Sequence, residues 1–375
     1  MNTKSNTNIL VVGFQPFNEK MYPHTYDFLK LIDEYAHLTY YGGDNSAVER
    51  LKIGLKLSSL ANVLIHPLTM WAVIMRYFFV NRRIRKEIKK IMEQHFDVVI
   101  AMDHSSLNYS SDFIKKGTKL IFWSYDIISE DHVWRKSCLI RSLLKENRNK
   151  IHRCNLIMIQ DRNRRAVLDS VLNSHDIPNF YLPVSLRFCN IQKKPLQKGK
   201  DEIILMQTGS IHELRASDQL IAHYQNMERN INLVLHGHIA QSISTMIESV
   251  ERRPQIYPLA RRMEDMREKI SRAHIGFIAN CSKNINDFFY SKTSGQLVEF
   301  LMQGIPVIVY DSEELGAFIR ENKCGIYIST MDNLDQAIKD ICADYSAFAD
   351  NAKKVFFTYF NLDTYGDKIK KMLIN

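Results

Sequence analysis

The chain has no Cys-x-x-Cys pair; its six cysteines, at 138, 154, 189, 281, 324 and 342, are scattered. Neither a zinc knuckle nor a disulfide framework is implied, and a reducing cytosol is the simplest compartment. GxxxxGK[ST] is absent, which excludes a P-loop. GxGxxG is absent too, which argues against a dinucleotide dehydrogenase. No low-complexity or Pro/Gly-rich tract interrupts the chain. The longest apolar stretch outside the expected strands, LIHPLTMWAVIMRYFFV (64–80), contains Pro67 and Arg76. It falls short of the roughly 20 apolar residues a spanning helix needs. The opening MNTKSNTNILVVGF runs from a polar tail straight into a strand, without the charged-then-apolar layout of a signal peptide.

What is present is an ordinary globular composition over 375 residues, 45% hydrophobic and 24% charged, with a formal charge of +9. That length suits two domains, and that charge suits anionic partners such as nucleotides or phospholipid headgroups. Short apolar runs alternate with helical patterns at 8–14, 37–41, 97–103, 119–126, 155–161 and 180–184. A second series follows at 202–210, 231–237, 255–259, 274–280, 305–311 and 325–329. Many of these runs are too apolar for half-exposed strands and fit parallel sheets covered on both faces. The expected fold is α/β, with two doubly wound domains. The expected divisions are a first domain over 1–190, the basic Pro/Gly-bearing linker QKKPLQKGK within 191–200, and a second domain over 201–345. Helices over 346–375 would cross back onto the first domain.

Ligands of open α/β sheets bind beyond the carboxyl ends of the strands, so the strand-to-helix turns carry the interest. In QTGSIHELRASDQLI, Gly209 allows close backbone approach, Ser210 adds a hydroxyl, and Arg215 is in reach of an anion. In SKTSGQLVEFLMQGIPVIVYD (291–311), Thr293 and Gln296 have capping-box spacing, and Thr293 or Ser294 opens a helix that Gly304 ends. Lys292 stands just before the cap, where the helix dipole favours diphosphate. Glu299 lies inside the apolar part of this helix. A charge there needs a partner, either a basic residue of the core or the diol of a bound ribose. HGH (236–238) brings two imidazoles together, too few for a zinc site; a turn with Gly237 near a nucleotide fits better, and Tyr257 would line the base pocket.

SGQLVEFLMQGIPVIV resembles the C-terminal-domain signature of glycosyltransferases with the B-type fold, related to families one and four. The resemblance implies two Rossmann-like doubly wound domains facing a central cleft; it also implies that Glu299 binds the ribose, that Ser294 and its neighbours bind the diphosphate, and that Gly209 and Ser210 form the opposing phosphate loop. The sequence departs from the pattern in three places. Ser291 stands where retaining members often have a Glu, and Gln296 where a Lys is common. WSYDIISED has Tyr125 and Asp126 in place of a His-acid pair. A base for the acceptor hydroxyl is then sought in Asp126 first and Glu130 second, with Asp131, Asp103 and His104 as further candidates. No DxD motif occurs, which argues against A-type enzymes and for transfer without a metal or other cofactor.

The expected activity is transfer of a sugar from a nucleotide-sugar donor to a glycan or lipid-linked acceptor in the assembly of a bacterial-type surface polysaccharide or glycoconjugate. A nucleotide-sugar 2-epimerase of the same fold, or a non-catalytic nucleotide- or glycan-binding protein, is the alternative. The 61–90 segment joins Trp71, Tyr77, Phe78 and Phe79 to Arg82, Arg83, Arg85, Lys86, Lys89 and Lys90. That order suits a peripheral contact with an anionic membrane surface on its cytoplasmic face. Nucleic-acid binding has only net charge in its favour.

Overall fold

In a computed structural model of the chain, residues 4–13, 23–42, 67–128, 138–190, 202–260, 262–281 and 284–374 are described, without the side chains of 67–78 and 138–139. The chain divides into two compact units, Met1–Leu182 with Tyr365–Asn375, and Pro183–Thr364.

The first unit contains β1 (Asn8–Val12), β2 (His37–Tyr41), β3 (Val98–Met102), β4 (Lys119–Trp123), β5 (Leu156–Ile159) and β6 (Asn179–Tyr181). They form one sheet in the order β2-β1-β3-β4-β5-β6, every pair parallel. The second unit contains β7 (Ile203–Ile211), β8 (Ile231–Ile239), β9 (Gln255–Tyr257), β10 (Ile275–Ala279), β11 (Val307–Tyr310) and β12 (Gly325–Ile328). Their order is β12-β11-β10-β7-β8-β9, again all parallel. Each apolar run read from the sequence is a strand, and both units are doubly wound α/β sheets.

The side chains of the second sheet show why these runs are continuously apolar. Met206, Val234, Ile278, Val307 and Val309 enter one core with Leu297, Val298, Phe300 and Leu301 of the helix Gly295–Met302. Their strand neighbours Leu205, Leu233, Leu235, Phe277 and Ile308 enter a second core on the opposite face. Alternate residues of one strand point to opposite faces, so a strand covered on both sides has no position left for a polar residue.

The division between the units differs from the expected one at both ends. The crossing falls at Leu182–Pro183 rather than at 191. Val184 and Leu186 are buried in the second unit's core, and the Val184 N–H donates to the Lys292 carbonyl at 2.9 Å. The helix Tyr345–Val355 and the π-type turn Phe356–Phe360 also belong to the second unit, with Ala352, Val355, Phe356 and Phe360 in its core. Of the expected returning segment 346–375, only Tyr365–Asn375 joins the first unit. There the helix Gly366–Ile374 buries Ile369 and Leu373, and Lys119 Nζ donates to the Met372 carbonyl at 2.6 Å. The linker expected at 191–200 lies outside the described residues.

Candidate functional site

The chain leaves β7 toward β8 on one side and returns to β10 on the other, so the second sheet's switch point lies between β7 and β10. The polar side chains at their carboxyl ends are buried and drawn together. Gln207 Nε2 donates to the Arg215 carbonyl at 2.8 Å, and Asn280 Nδ2 to the Asp287 carbonyl at 2.8 Å. Arg215 Nη2 donates to Asp287 Oδ1 at 3.2 Å, and its guanidinium lies 5.1 Å from the Tyr290 ring centre. Three buried atoms here have no hydrogen-bond partner: Gln207 Oε1, Asn280 Oδ1 and Arg215 Nη1. Such orphans are uncommon in native folds, and three around one strand-end crevice are what a polar ligand would satisfy.

Gly209 and Ser210 are exposed, but they lie inside β7 rather than in a loop after it. The strand runs on to Ile211, with Gly209 paired to Gly237 and Ser210 to His238. The loop that carries Arg215 begins at His212. A Cβ at Gly237 would stand 1.8 Å from the Gly209 carbonyl oxygen. The glycine at 237 thus serves the approach of β8 to β7, a correction to its expected role at a ligand. Gly209, at φ +86°, meets the Gln296 side chain, whose Nε2 donates to the Thr208 carbonyl.

That bond also corrects the expected capping box. Ser294, not Thr293, is the N-cap of the helix Gly295–Met302, and its Oγ accepts from the Leu297 N–H at 3.2 Å. Gln296 therefore sits one position too early to reach back, and it ties the helix to β7 instead. Thr293 Oγ1 donates to the Phe289 carbonyl at 3.2 Å. Gly295 is exposed, with no atom within 4 Å of where a Cβ would stand, so the helix start is open. The preceding turn is held by Glu314, which accepts from the Tyr290 and Ser291 N–H groups at 3.0 and 2.8 Å.

Glu299 is 6% exposed, and it has a partner within the protein. Arg267 Nε lies 3.2 Å from Oε2 and 3.4 Å from Oε1. The core ion pair is therefore present in this structure. Lys292 departs from expectation: its ammonium lies over the rings of Tyr359, Phe318 and Phe360, at 3.9, 4.0 and 5.3 Å from their centres. Aromatic faces, not a diphosphate subsite, hold this charge.

Tyr257 borders an open cavity of about 510 Å³ with Pro258, Leu259, Asp265, Lys269 and Arg272. His236 meets the Tyr257 ring edge-on at 6.4 Å and is 4% exposed, and its Nε2 has no partner. Burial, with Lys269 nearby, lowers the imidazole to about 4 and keeps it neutral. Among the described residues no group of His, Cys, Asp and Glu is arranged to hold a metal ion.

In the first unit Asp126 is exposed just beyond β4. The backbone just before it is braced from the core. Arg164, 1% exposed, donates to the Tyr125 carbonyl and, through Nε, to Gln160 Oε1 at 2.8 Å. Gln160 Nε2 donates to the Ser124 carbonyl at 2.9 Å. His104 is 2% exposed and lies 3.0 Å from Asn147 Nδ2, and burial lowers its imidazole to about 4. It is a core residue beside the Asp126 backbone, not an accessible base. Asp103 is half-buried with φ 71°, a left-handed conformation at the end of β3. Glu130 and Asp131 lie outside the described residues.

Sequence reasoning missed Glu314, Arg267, Asp287, Tyr290 and the Arg164–Gln160 brace. Arg267 alone had a signal, since a buried carboxylate calls for a cation, but its position on another helix was not readable.

The fold is the two-sheet, B-type fold that solved glycosyltransferases share. HepE of Anabaena, solved with UDP-glucose, superposes with a TM-score of 0.65 at 12% identity, covering 98% of this chain and 99% of that one. Sucrose-phosphate synthase of Thermosynechococcus elongatus gives 0.69 at 10% identity, covering 98% of each chain. WaaG, a glycosyltransferase involved in lipopolysaccharide biosynthesis, gives 0.63 at 14% identity, covering 97% of this chain and 99% of that one. Residues 264–359 match the family described as glucosyltransferase 3-like, C-terminal domain. That segment includes Arg267, the 290–294 turn, Glu299, and Phe318 and Tyr359 beside Lys292. No curated protein matches the sequence.

Proposed function

We propose that the protein transfers a glycosyl group from a uridine-type nucleotide sugar to a hydroxyl of a glycan or lipid-linked acceptor. The observation that carries this reading is the buried, unpartnered Arg215 Nη1 at the β7–β10 switch point, in a unit whose Ser294-capped helix start is open. The leaving diphosphate gains negative charge as the glycosidic bond breaks. Arg215 and the N–H groups of Gly295 and Gln296, the first two residues of the helix, would stabilise it there. Glu299, with Arg267 behind it, would accept from the ribose hydroxyls, and the Tyr257 cavity would take the base. UDP-glucose in HepE supports the choice of uridine.

Asp126 is the exposed carboxylate of a braced loop and would remove the acceptor proton or orient sugar hydroxyls. The missing DxD motif supports transfer without a divalent cation, so EDTA would leave the rate unchanged. A surface-glycan or glycoconjugate product is the reading that WaaG supports.

The test is a thermal-shift panel of nucleotides and nucleotide sugars. A ligand at one hundred times its dissociation constant stabilises by about 2.7 kcal/mol. UDP and UDP-sugars should raise Tm, and Glu299→Gln should weaken donor binding roughly 10- to 150-fold, the worth of a hydrogen bond to a charged group. Unchanged donor affinity in folded Glu299→Gln removes the ribose assignment.

The acceptor is proposed to be presented at an anionic membrane surface on the cytoplasmic face. No helix among the described residues is long and apolar enough to cross a membrane. On the helix Pro67–Ile91, Arg82, Arg83, Lys86, Lys89 and Lys90 are exposed while Ile84 and Ile88 are buried, which leaves a basic outer face. Arg85 instead pairs with Asp112 and Glu146. Phe79 is 61% exposed; Trp71, Tyr77 and Phe78 lie outside the described side chains.

A further inference from the structure

The segments that enter and leave the second unit converge on one residue of the proposed donor turn. On the entering side, the Val184 N–H donates to the Lys292 carbonyl at 2.9 Å. On the leaving side, the Lys292 ammonium lies over Tyr359 and Phe360, and over Phe318 of the helix Glu313–Asn322. The two segments are joined to each other as well. Leu186 N–H donates to the Phe360 carbonyl and Leu362 N–H to the Leu186 carbonyl, both at 2.9 Å. Arg187 Nε lies 3.3 Å from Asp363 Oδ1, and Phe188 packs on Phe357 with ring centres 4.9 Å apart. Two residues after Lys292 stands Ser294, the cap of the open helix start, and one residue before it stands Ser291, fixed by Glu314.

We infer that Lys292 is a positioning residue that fastens the donor turn to both chain crossings, so that occupation of the turn by a nucleotide diphosphate is felt at Pro183–Phe188 and at Tyr359–Asp363. This rests on reading 290–299 as the donor turn. The lysine is suited to the task because it is tied at both ends. Its carbonyl holds one crossing, and its ammonium is attracted by the ring faces of the other. An apolar side chain of the same length would fill the space among the rings without that attraction. Charge and packing are thus separable by substitution: Lys292→Met keeps the packing, and Lys292→Arg keeps a cation that also stacks on aromatic faces.

Hydrogen exchange by mass spectrometry, read on peptides covering 183–190 and 359–365 of the full chain, tests this in two arms. In the ligand-free protein, Lys292→Met should speed exchange of these peptides roughly 3- to 30-fold, the range of one cation–π contact. Lys292→Arg should restore most of the protection, and peptides from β1 to β5 should not change. Unchanged exchange at both crossings in Lys292→Met overturns the inference. In the second arm UDP is added at saturation. Protection at the crossings should rise in the natural protein and in Lys292→Arg, and rise less in Lys292→Met, although UDP still binds each of them. An equal rise in all three overturns the coupling. If no nucleotide shifts the Tm of the natural protein, the donor reading fails by itself, and the ligand-free arm still decides whether Lys292 holds the crossings.

Discussion

The Asp126 loop of the first unit and the 290–299 turn of the second both lie beyond the carboxyl ends of parallel strands, yet they are held differently. The turn is anchored by charge: Glu314 on two backbone N–H groups, Arg267 on Glu299, and the Lys292 ammonium on three rings. Around Asp126 the bracing is mostly backbone and amide: Gln160 on Ser124, Arg164 on Tyr125, and Asn147 on His104. The first pattern fixes a turn through charged side chains. The second steadies a short piece of backbone beside the exposed Asp126. Under the proposed function, the first is the donor side, a cradle whose members can each be named, and the second is the acceptor side, with Asp126 as its candidate reactive group.

The contrast is broken most sharply at Asp126. Asp126→Asn should slow transfer about 10²–10⁴-fold, the usual worth of a general base, with donor affinity nearly unchanged. Steady-state kinetics together with UDP-sugar binding would check both halves. Near-natural turnover would take Asp126 out of the chemistry and turn attention to Asp103 or a base-free route.

On the second unit, Arg267→Met should cost about 3–5 kcal/mol of stability, because it leaves the buried Glu299 carboxylate without its guanidinium. Urea denaturation measures it, and the double variant Arg267→Met/Glu299→Leu should recover much of the loss. A single variant as stable as the natural protein would show that the pair is effectively solvated.

Acid sharpens the comparison further. His104 has an ordinary value of 6.5 when unfolded and about 4 when folded. Between those values the unfolded chain takes up a proton that the folded chain refuses. The stability this contributes is therefore complete above pH 6.5 and is lost as pH falls to about 4, by roughly 3 kcal/mol at most. His236 does the same for the second unit. Denaturation curves at pH 7 and pH 4.5 should converge in part for His104→Gln and, separately, for His236→Gln; a pH dependence unaltered in both would locate the acid sensitivity elsewhere.

The smallest effect belongs to the basic face of the helix Pro67–Ile91. Each of Arg82, Arg83, Lys89 and Lys90 replaced by Gln should weaken binding to anionic vesicles by about 1 kcal/mol at low salt, and less at high salt. Co-sedimentation that ignores lipid charge and salt would reject the membrane reading.

Nearly all of the strand plan was legible in the sequence, because a strand buried on both faces has to be continuously apolar, as Ile9–Val12 and Ile275–Ala279 are. The helix with Glu299 was legible for a related reason: one carboxylate among Leu297, Val298, Phe300 and Leu301 violates the pattern. Three-dimensional neighbours were not. Nothing in the spacing shows that Arg267 meets Glu299 thirty-two residues on, that Gln296 reaches across to Thr208, or that Lys292 lies among rings from two later segments. The unit boundary was misplaced because composition marks the polar 191–200 stretch, whereas packing of Val184 and Leu186 decides where the second core begins.

The helix Gly366–Ile374 has a consequence for the order in which the protein is made. The second unit is one unbroken stretch, Pro183–Thr364, and it can close its core as soon as it leaves the ribosome. The first unit is synthesised first but lacks the helix Gly366–Ile374 until the second unit has been made, so Lys119 and the surfaces against Ile369 and Leu373 wait through the whole of the second unit's synthesis. A chain truncated at Thr364 would thus contain every residue of the second unit and leave the older first unit incomplete. The unit that begins folding first is the one that finishes last.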